Sequence, residues 1–374
     1  MQYVAKREAL SRLISNLRSL GYTVIGPKLE DGAVCLKEIQ AFEDLASGVV
    51  DIQAPGKYRV EGPSPFVFSA VNGPQSAKKF LHPSSVPMVT LKEDRGGLKV
   101  ESVYRAEGKY AFLGLRPCDL KAVEVLDRAL MMEQYKDPVY TPLRKGSLTI
   151  VVNCGRAGEN CFCASMGTGP KAEAGYDLAI TELPDKILVD VTEGRMSLME
   201  GIEMRPATPE DLRQEWDLIR KVGEDMHKRI DRENPSDFLY AGLESPIWEE
   251  VAQRCLSCGN CTMVCPTCFC NILQDATDLK DRSVTRVRVW DSCLSKNFTY
   301  SAGGNPRLER KARYRQFVMH KFAYWPDQFK LYGCVGCGRC ITWCPVGIDI
   351  SDTVNRVLRT HGEKRPLPEV VKVA

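Results

Sequence analysis

Two stretches of the chain share one spacing. "CLSCGNCTMVCP" sets Cys255, Cys258, Cys261 and Cys265 in C-x2-C-x2-C-x3-C-P, and "CVGCGRCITWCP" repeats it with Cys334, Cys337, Cys340 and Cys344. Such a run folds three thiolates around one face of a [4Fe–4S] cubane, while the fourth cysteine reaches the other cluster of the pair. The first cluster is therefore assigned Cys255, Cys258, Cys261 and Cys344, and the second Cys334, Cys337, Cys340 and Cys265. Gly259 and Gly338 relieve crowding where backbone must pass close to a cluster. Structural zinc or eight merely buried thiols would not require two complete copies of one spacing.

Sixteen cysteines in 374 residues could in principle form disulfides. However, the chain is not small, and "MQYVAKREALSRLISNLRSLG" mixes charge with apolar positions instead of forming an export signal. No apolar run approaches the roughly 18 residues of a membrane span. The expectation is a cytoplasmic protein whose clustered cysteines bind metal. Charge is uneven: residues 251–374 carry 19 Lys and Arg against 10 Asp and Glu, although the whole chain is only +3.

The fold class expected is α+β. Residues 1–245 read as a mixed α/β domain, with strands at "YAFLGL" (110–115), "LTIVV" (148–152) and "KILVDV" (186–191). Leu10, Leu13, Ile14, Leu17 and Leu20 mark one face of an N-terminal helix closed by Gly21. A charged helical pattern runs from about 208 to 232, and "DRENPSD" (231–237) reads as a break. Residues 246–374 read as a mostly helical, dicluster ferredoxin-like domain in which strand signals fade.

A third site is proposed in the first domain. Cys118 follows one strand at the N-terminus of a helix, and Cys154 follows another strand. If those strands are neighbours, both thiols emerge at one end of the sheet, and "ENCFC" adds Cys161 and Cys163, with Gly155 and Gly158 letting the loop curl back. The helix N-terminus would favour the Cys118 thiolate. Cys118, Cys154, Cys161 and Cys163 thus form a candidate third [4Fe–4S] site, with zinc or a free-thiol pocket as the alternatives.

Cys268, Cys270 and Cys293 remain, read as buried thiols lining the clusters, as ligands to a further one or as substitutes for one of the assigned ligands, and Cys35 reads as core. The basic, aromatic stretch 282–325 could bind single strands, but the cysteine runs bracket it, which favours charge compensation and docking over nucleic acid. His320 within it reads as a hydrogen-bonding helix residue. Neither a dinucleotide fingerprint, a Walker lysine nor H-E-x-x-H occurs, so no catalytic residue is assigned.

"RPCD", "NCFCASMGTGP", "CLSCGNCTMVCPTCFC", "WDSC", "RYRQFVMHK" and "CVGCGRCITWCP" follow one another in this order. The series resembles the family of soluble NiFe hydrogenase (sulfhydrogenase) beta subunits and anaerobic sulfite reductase A subunits, from about residue 110 to 350. Pro117 stands where that family often has another residue before "CD". The resemblance implies a non-catalytic electron-transfer subunit in a hetero-oligomer, seated between a flavoprotein subunit binding FAD and NAD(P) and a catalytic subunit. It also strengthens the third-cluster assignment. "WDSC" leans towards the hydrogenase. The alternatives are the A subunit of a siroheme sulfite reductase and, from another class, an iron–sulfur nucleic-acid-binding protein.

Overall fold

Short apolar runs and amphipathic helices in the first part build one eight-stranded sheet. The computed structural model describes residues 1–361 other than Asn72, Arg95 and Arg105. Residues 362–374 of the expected second domain lie outside the described residues. The strands are β1 (Gln2–Ala5), β2 (Thr23–Glu30), β3 (Ala33–Glu38), β4 (Val50–Ala54), β5 (Lys57–Glu61), β6 (Ser85–Asp94) and β7 (Gly97–Val103). They continue with β8 (Tyr110–Leu115), β9 (Leu148–Val152), β10 (Leu178–Glu182), β11 (Ile187–Val191) and β12 (Met204–Pro206).

The main sheet runs β12-β1-β11-β10-β9-β8-β2-β3. Its centre, β2-β8-β9-β10, is parallel, and antiparallel pairs flank it. Every residue of β9 and β10 is buried, as suits parallel strands covered on both faces. The helix Ala9–Ser19 buries Leu10, Leu13, Ile14 and Leu17. Leu20 falls beyond its end and is exposed, and Gly21 closes it at φ +81°. The charged helix spans Pro209–Glu224, shorter than its pattern suggests, and a new helix starts at Pro235 within the expected break.

In the second part, the helices Ile247–Arg254, Arg310–Met319 and Ile350–Thr360 surround a core that includes Trp248, Phe317, Phe322 and Val354. The expectation that strand fades here needs correction. β13 (Asn271–Asp278) and β14 (Ser283–Trp290) form a hairpin, and β14 pairs antiparallel with β6, giving a second sheet β13-β14-β6-β7. "SVTRVRVW" alternates β-branched residues with arginines, which suits a half-buried strand. In sequence its arginines suggest a charged surface instead. The remainder of the basic stretch is helical, and His320–Tyr324 forms a π-helical turn. Among the described residues no helix is long and apolar enough to cross a membrane.

Candidate metal centres

The two runs fold alike. The helix Ile247–Arg254 delivers Cys255, the chain turns at Ser257 (φ +53°) and Gly259 (φ +76°), and the short helix Asn260–Met263 carries Cys261. In the second run Gly336 (φ +64°) and Gly338 (φ +76°) make the turn before the helix Arg339–Thr342, which carries Cys340. Cys255, Cys258 and Cys261 line one cavity together with Cys344 from the other run. Cys340 also reaches this cavity, which holds about 30 Å³ between thiols and apolar walls of Leu294, Tyr314 and Phe317.

Cys265 crosses in the other direction. Cys334, Cys337 and Cys340 each count it among their electrostatic neighbours. The buried Lys321 ammonium donates to Cys265 Sγ at 3.2 Å, to Thr267 Oγ1 at 3.0 Å and to the Gly333 carbonyl at 3.2 Å. Burial works against the Lys321 charge, but negative charge on the Cys265, Cys268 and Cys334 sulfurs would outweigh it and raise the ammonium well above its ordinary value. Burial pushes the Cys334 thiol up to about 12, so it keeps its proton unless a cation takes its place.

The third set gathers where the sheet predicts. β8 and β9 are parallel neighbours, so Cys118, at the start of the helix Pro117–Leu130, and Cys154 leave the same end. Cys163 has Cys161 and Cys154 as electrostatic neighbours, and Cys118 has Cys163. All four are buried. The expected pull of the helix N-terminus on Cys118 loses to burial, which with the Asp119 carboxylate pushes that thiol well up. Burial likewise lifts Cys161 to about 12.

This set is fastened to the second run. The Phe162 N–H donates to the Gly336 carbonyl at 2.8 Å, Thr168 Oγ1 to the Val335 carbonyl at 2.7 Å, and Asn160 Nδ2 to Thr342 Oγ1 at 2.9 Å. A Cβ at Gly338 would stand 2.4 Å from the Asn160 carbonyl oxygen, and one at Gly336 2.7 Å from Cys163 Cα. Glycine is required at both positions by this close approach as well as by φ.

Among the described residues no group of three or more His, Cys, Asp or Glu side chains is placed to hold a metal ion. Thiols spaced around a cavity fit a polynuclear iron–sulfur group better than a mononuclear one. Cys35 sits buried on β3, as expected of a core residue. Cysteine spacing gave no sign of the charged residues around the thiols. Lys78, Asp119, Lys321 and Arg339 are all at most 4% exposed, and only their adjacency to cysteines in "RPCD" and "CGRC" hinted at two of them.

Residues 254–348 match the family model of a 4Fe-4S dicluster domain, which covers both runs and leaves the third set outside. Sulfhydrogenase 2 subunit beta of Pyrococcus furiosus is 34% identical over 247 residues, covering 65% of this chain and 72% of that protein. No solved structure matches the chain. With the dicluster domain and this relative together, the chain belongs to the iron–sulfur hydrogenase beta-subunit family.

Proposed function

We propose that this chain is a cytoplasmic electron-transfer subunit with three [4Fe–4S] clusters. It works in a hetero-oligomer, between a flavoprotein subunit that binds FAD and NAD(P) and the catalytic subunit of a soluble NiFe hydrogenase. The ligand sets are Cys255, Cys258, Cys261 and Cys344; Cys334, Cys337, Cys340 and Cys265; and Cys118, Cys154, Cys161 and Cys163. Bound there, the clusters supply one-electron redox chemistry at potentials set by charge, hydrogen bonds and burial. The proposed parts 1–245 and 246–374 then divide the work, the first holding one cluster and the second two.

The observation that carries this reading is the contiguity of the three sets. The 160–163 loop lies on the Gly336–Gly338 turn, and Cys340 neighbours both Cys334 and Cys261. Leu294, Tyr314 and Phe317 give the first set apolar walls, while Lys321 and Arg339 place positive charge beside the second. The likeness to a sulfhydrogenase subunit supports a hydrogenase partner over a sulfite reductase.

Anaerobic purification of the whole complex tests this. A Cys154→Ala variant is expected to lose about four irons and a matching amount of acid-labile sulfide relative to the parent, and nickel should accompany the co-purifying subunit. An unchanged iron count would remove the third cluster, and siroheme in place of nickel would overturn the hydrogenase assignment.

A further inference from the structure

Three cysteines stand outside the three sets. Cys268 and Cys270 lie just before β13, and Cys293 lies just after β14. The hairpin register pairs Asn271 with Trp290, and the Asp291 N–H donates to the Cys270 carbonyl at 2.9 Å, so the two feet of the hairpin meet. There the Cys270 and Cys293 thiols are neighbours, and Cys268 neighbours both Cys265 and Cys270. Cys293 in turn neighbours Cys261. The trio therefore borders both the first and the second proposed cluster.

Two lysines point into the same region, 3% and 4% exposed at Lys78 and Lys321. Lys321 is answered by Cys265 of the second set. Lys78 is not. Its ammonium donates to the carbonyls of Thr262 (3.2 Å) and Met263 (3.0 Å) and lies 4.1 Å from the Trp290 ring centre. Among the described residues no carboxylate pairs with it; burial pulls Lys78 below its ordinary value, and Cys268, Cys265 and Cys270 are the groups whose negative charge would raise it again. Three neutral thiols at the foot of the hairpin would leave this lysine uncharged, whereas thiolates bound to metal would hold its proton.

We propose that Cys268, Cys270 and Cys293 hold a further iron–sulfur cluster at the base of the β13–β14 hairpin, with Lys78 offsetting its thiolate charge. Three cysteine ligands suit a three-iron cluster, or a four-iron cluster with one position left to a non-cysteine donor. His82, fully buried beside this turn, is not that donor, because Arg288 approaches its Nδ1 at 3.4 Å and leaves the proton on Nε2.

The test is iron, zinc and acid-labile sulfide per chain in the anaerobic complex, for the parent and for Cys270→Ser and Cys293→Ser. Each variant is expected to lose about three or four irons with matching sulfide, and to keep the irons that Cys154→Ala removes. Unchanged iron in both variants, or loss of zinc without sulfide, overturns the proposal. If neither variant folds, Cys154→Ala decides: about eleven or twelve irons remaining in it support the site and about eight exclude it. The third cluster stands or falls with the Cys154→Ala difference and the hairpin cluster with the Cys270→Ser difference, so either can fail alone.

Discussion

Arg339 and Asp119 form a buried two-pronged ion pair, Nη1 to Oδ1 at 2.8 Å and Nη2 to Oδ2 at 3.1 Å. Arg339 stands between Cys337 and Cys340, and Asp119 follows Cys118, so the pair ties the second run to the third set. Removing one partner leaves a charge buried without its counterpart, at a cost of about 3–5 kcal/mol. Arg339→Met is expected to lower unfolding stability by roughly that amount, read as a shift in denaturant midpoint. A loss under about 1 kcal/mol would show that the pair does not lock the two parts together.

Gly338→Ala should fail where Gly155→Ala succeeds. A Cβ at 338 meets the Asn160 carbonyl and is forced to φ +76°, whereas nothing lies within 4 Å of one at 155. The expected cost at 338 is about 1–3 kcal/mol of backbone strain, with further loss from displacing the 160–163 loop. The accompanying readout is a fall in cluster iron, and equal behaviour of the two variants would refute the close-packing argument.

Exposure ranks the sites by sensitivity to oxygen. Of the twelve proposed ligands only Cys258 is exposed, and Leu256 beside it is 59% exposed. Under air with a chelator, Cys258 should become alkylable several-fold sooner than Cys161 or Cys163, followed by peptide mapping. The reverse order would mean that solvent enters through the third set.

His82 predicts a pH dependence. Burial, aided by the nearby Arg288 charge, lowers it to about 4 from an ordinary 6.5. A base lowered on folding takes up its proton more readily when unfolded, so stability is full above about pH 6.5 and declines towards pH 4. The decline attributable to one such group is on the order of 1–3 kcal/mol. Denaturant midpoints between pH 7 and 4.5 should fall less steeply for His82→Gln than for the parent. Parallel curves would remove His82 from the acid response.

Much of this architecture was readable because metal ligation and buried strands constrain sequence locally. The spacing of the two runs leads one to look for Cys344 near Cys255 and Cys265 near Cys334, and those residues are neighbours in the fold. Unbroken apolar runs marked β8 and β9, and their adjacency brought Cys118 near Cys154. The β14–β6 pairing was not readable, since nearly two hundred residues separate the partners and register depends on tertiary context. The buried lysines escaped notice for a related reason: a lysine's charge suggests surface until the structure shows the thiols around it.

The β14–β6 pairing also limits how this protein can be divided. A cut near residue 245 would strip β14 of its neighbour and leave β6 and β14 each with an open row of backbone donors and acceptors, which invites aggregation. The ferredoxin-like part is therefore not a detachable cassette, and a graft of its two cysteine runs onto another scaffold would have to bring β6 and β7 with it.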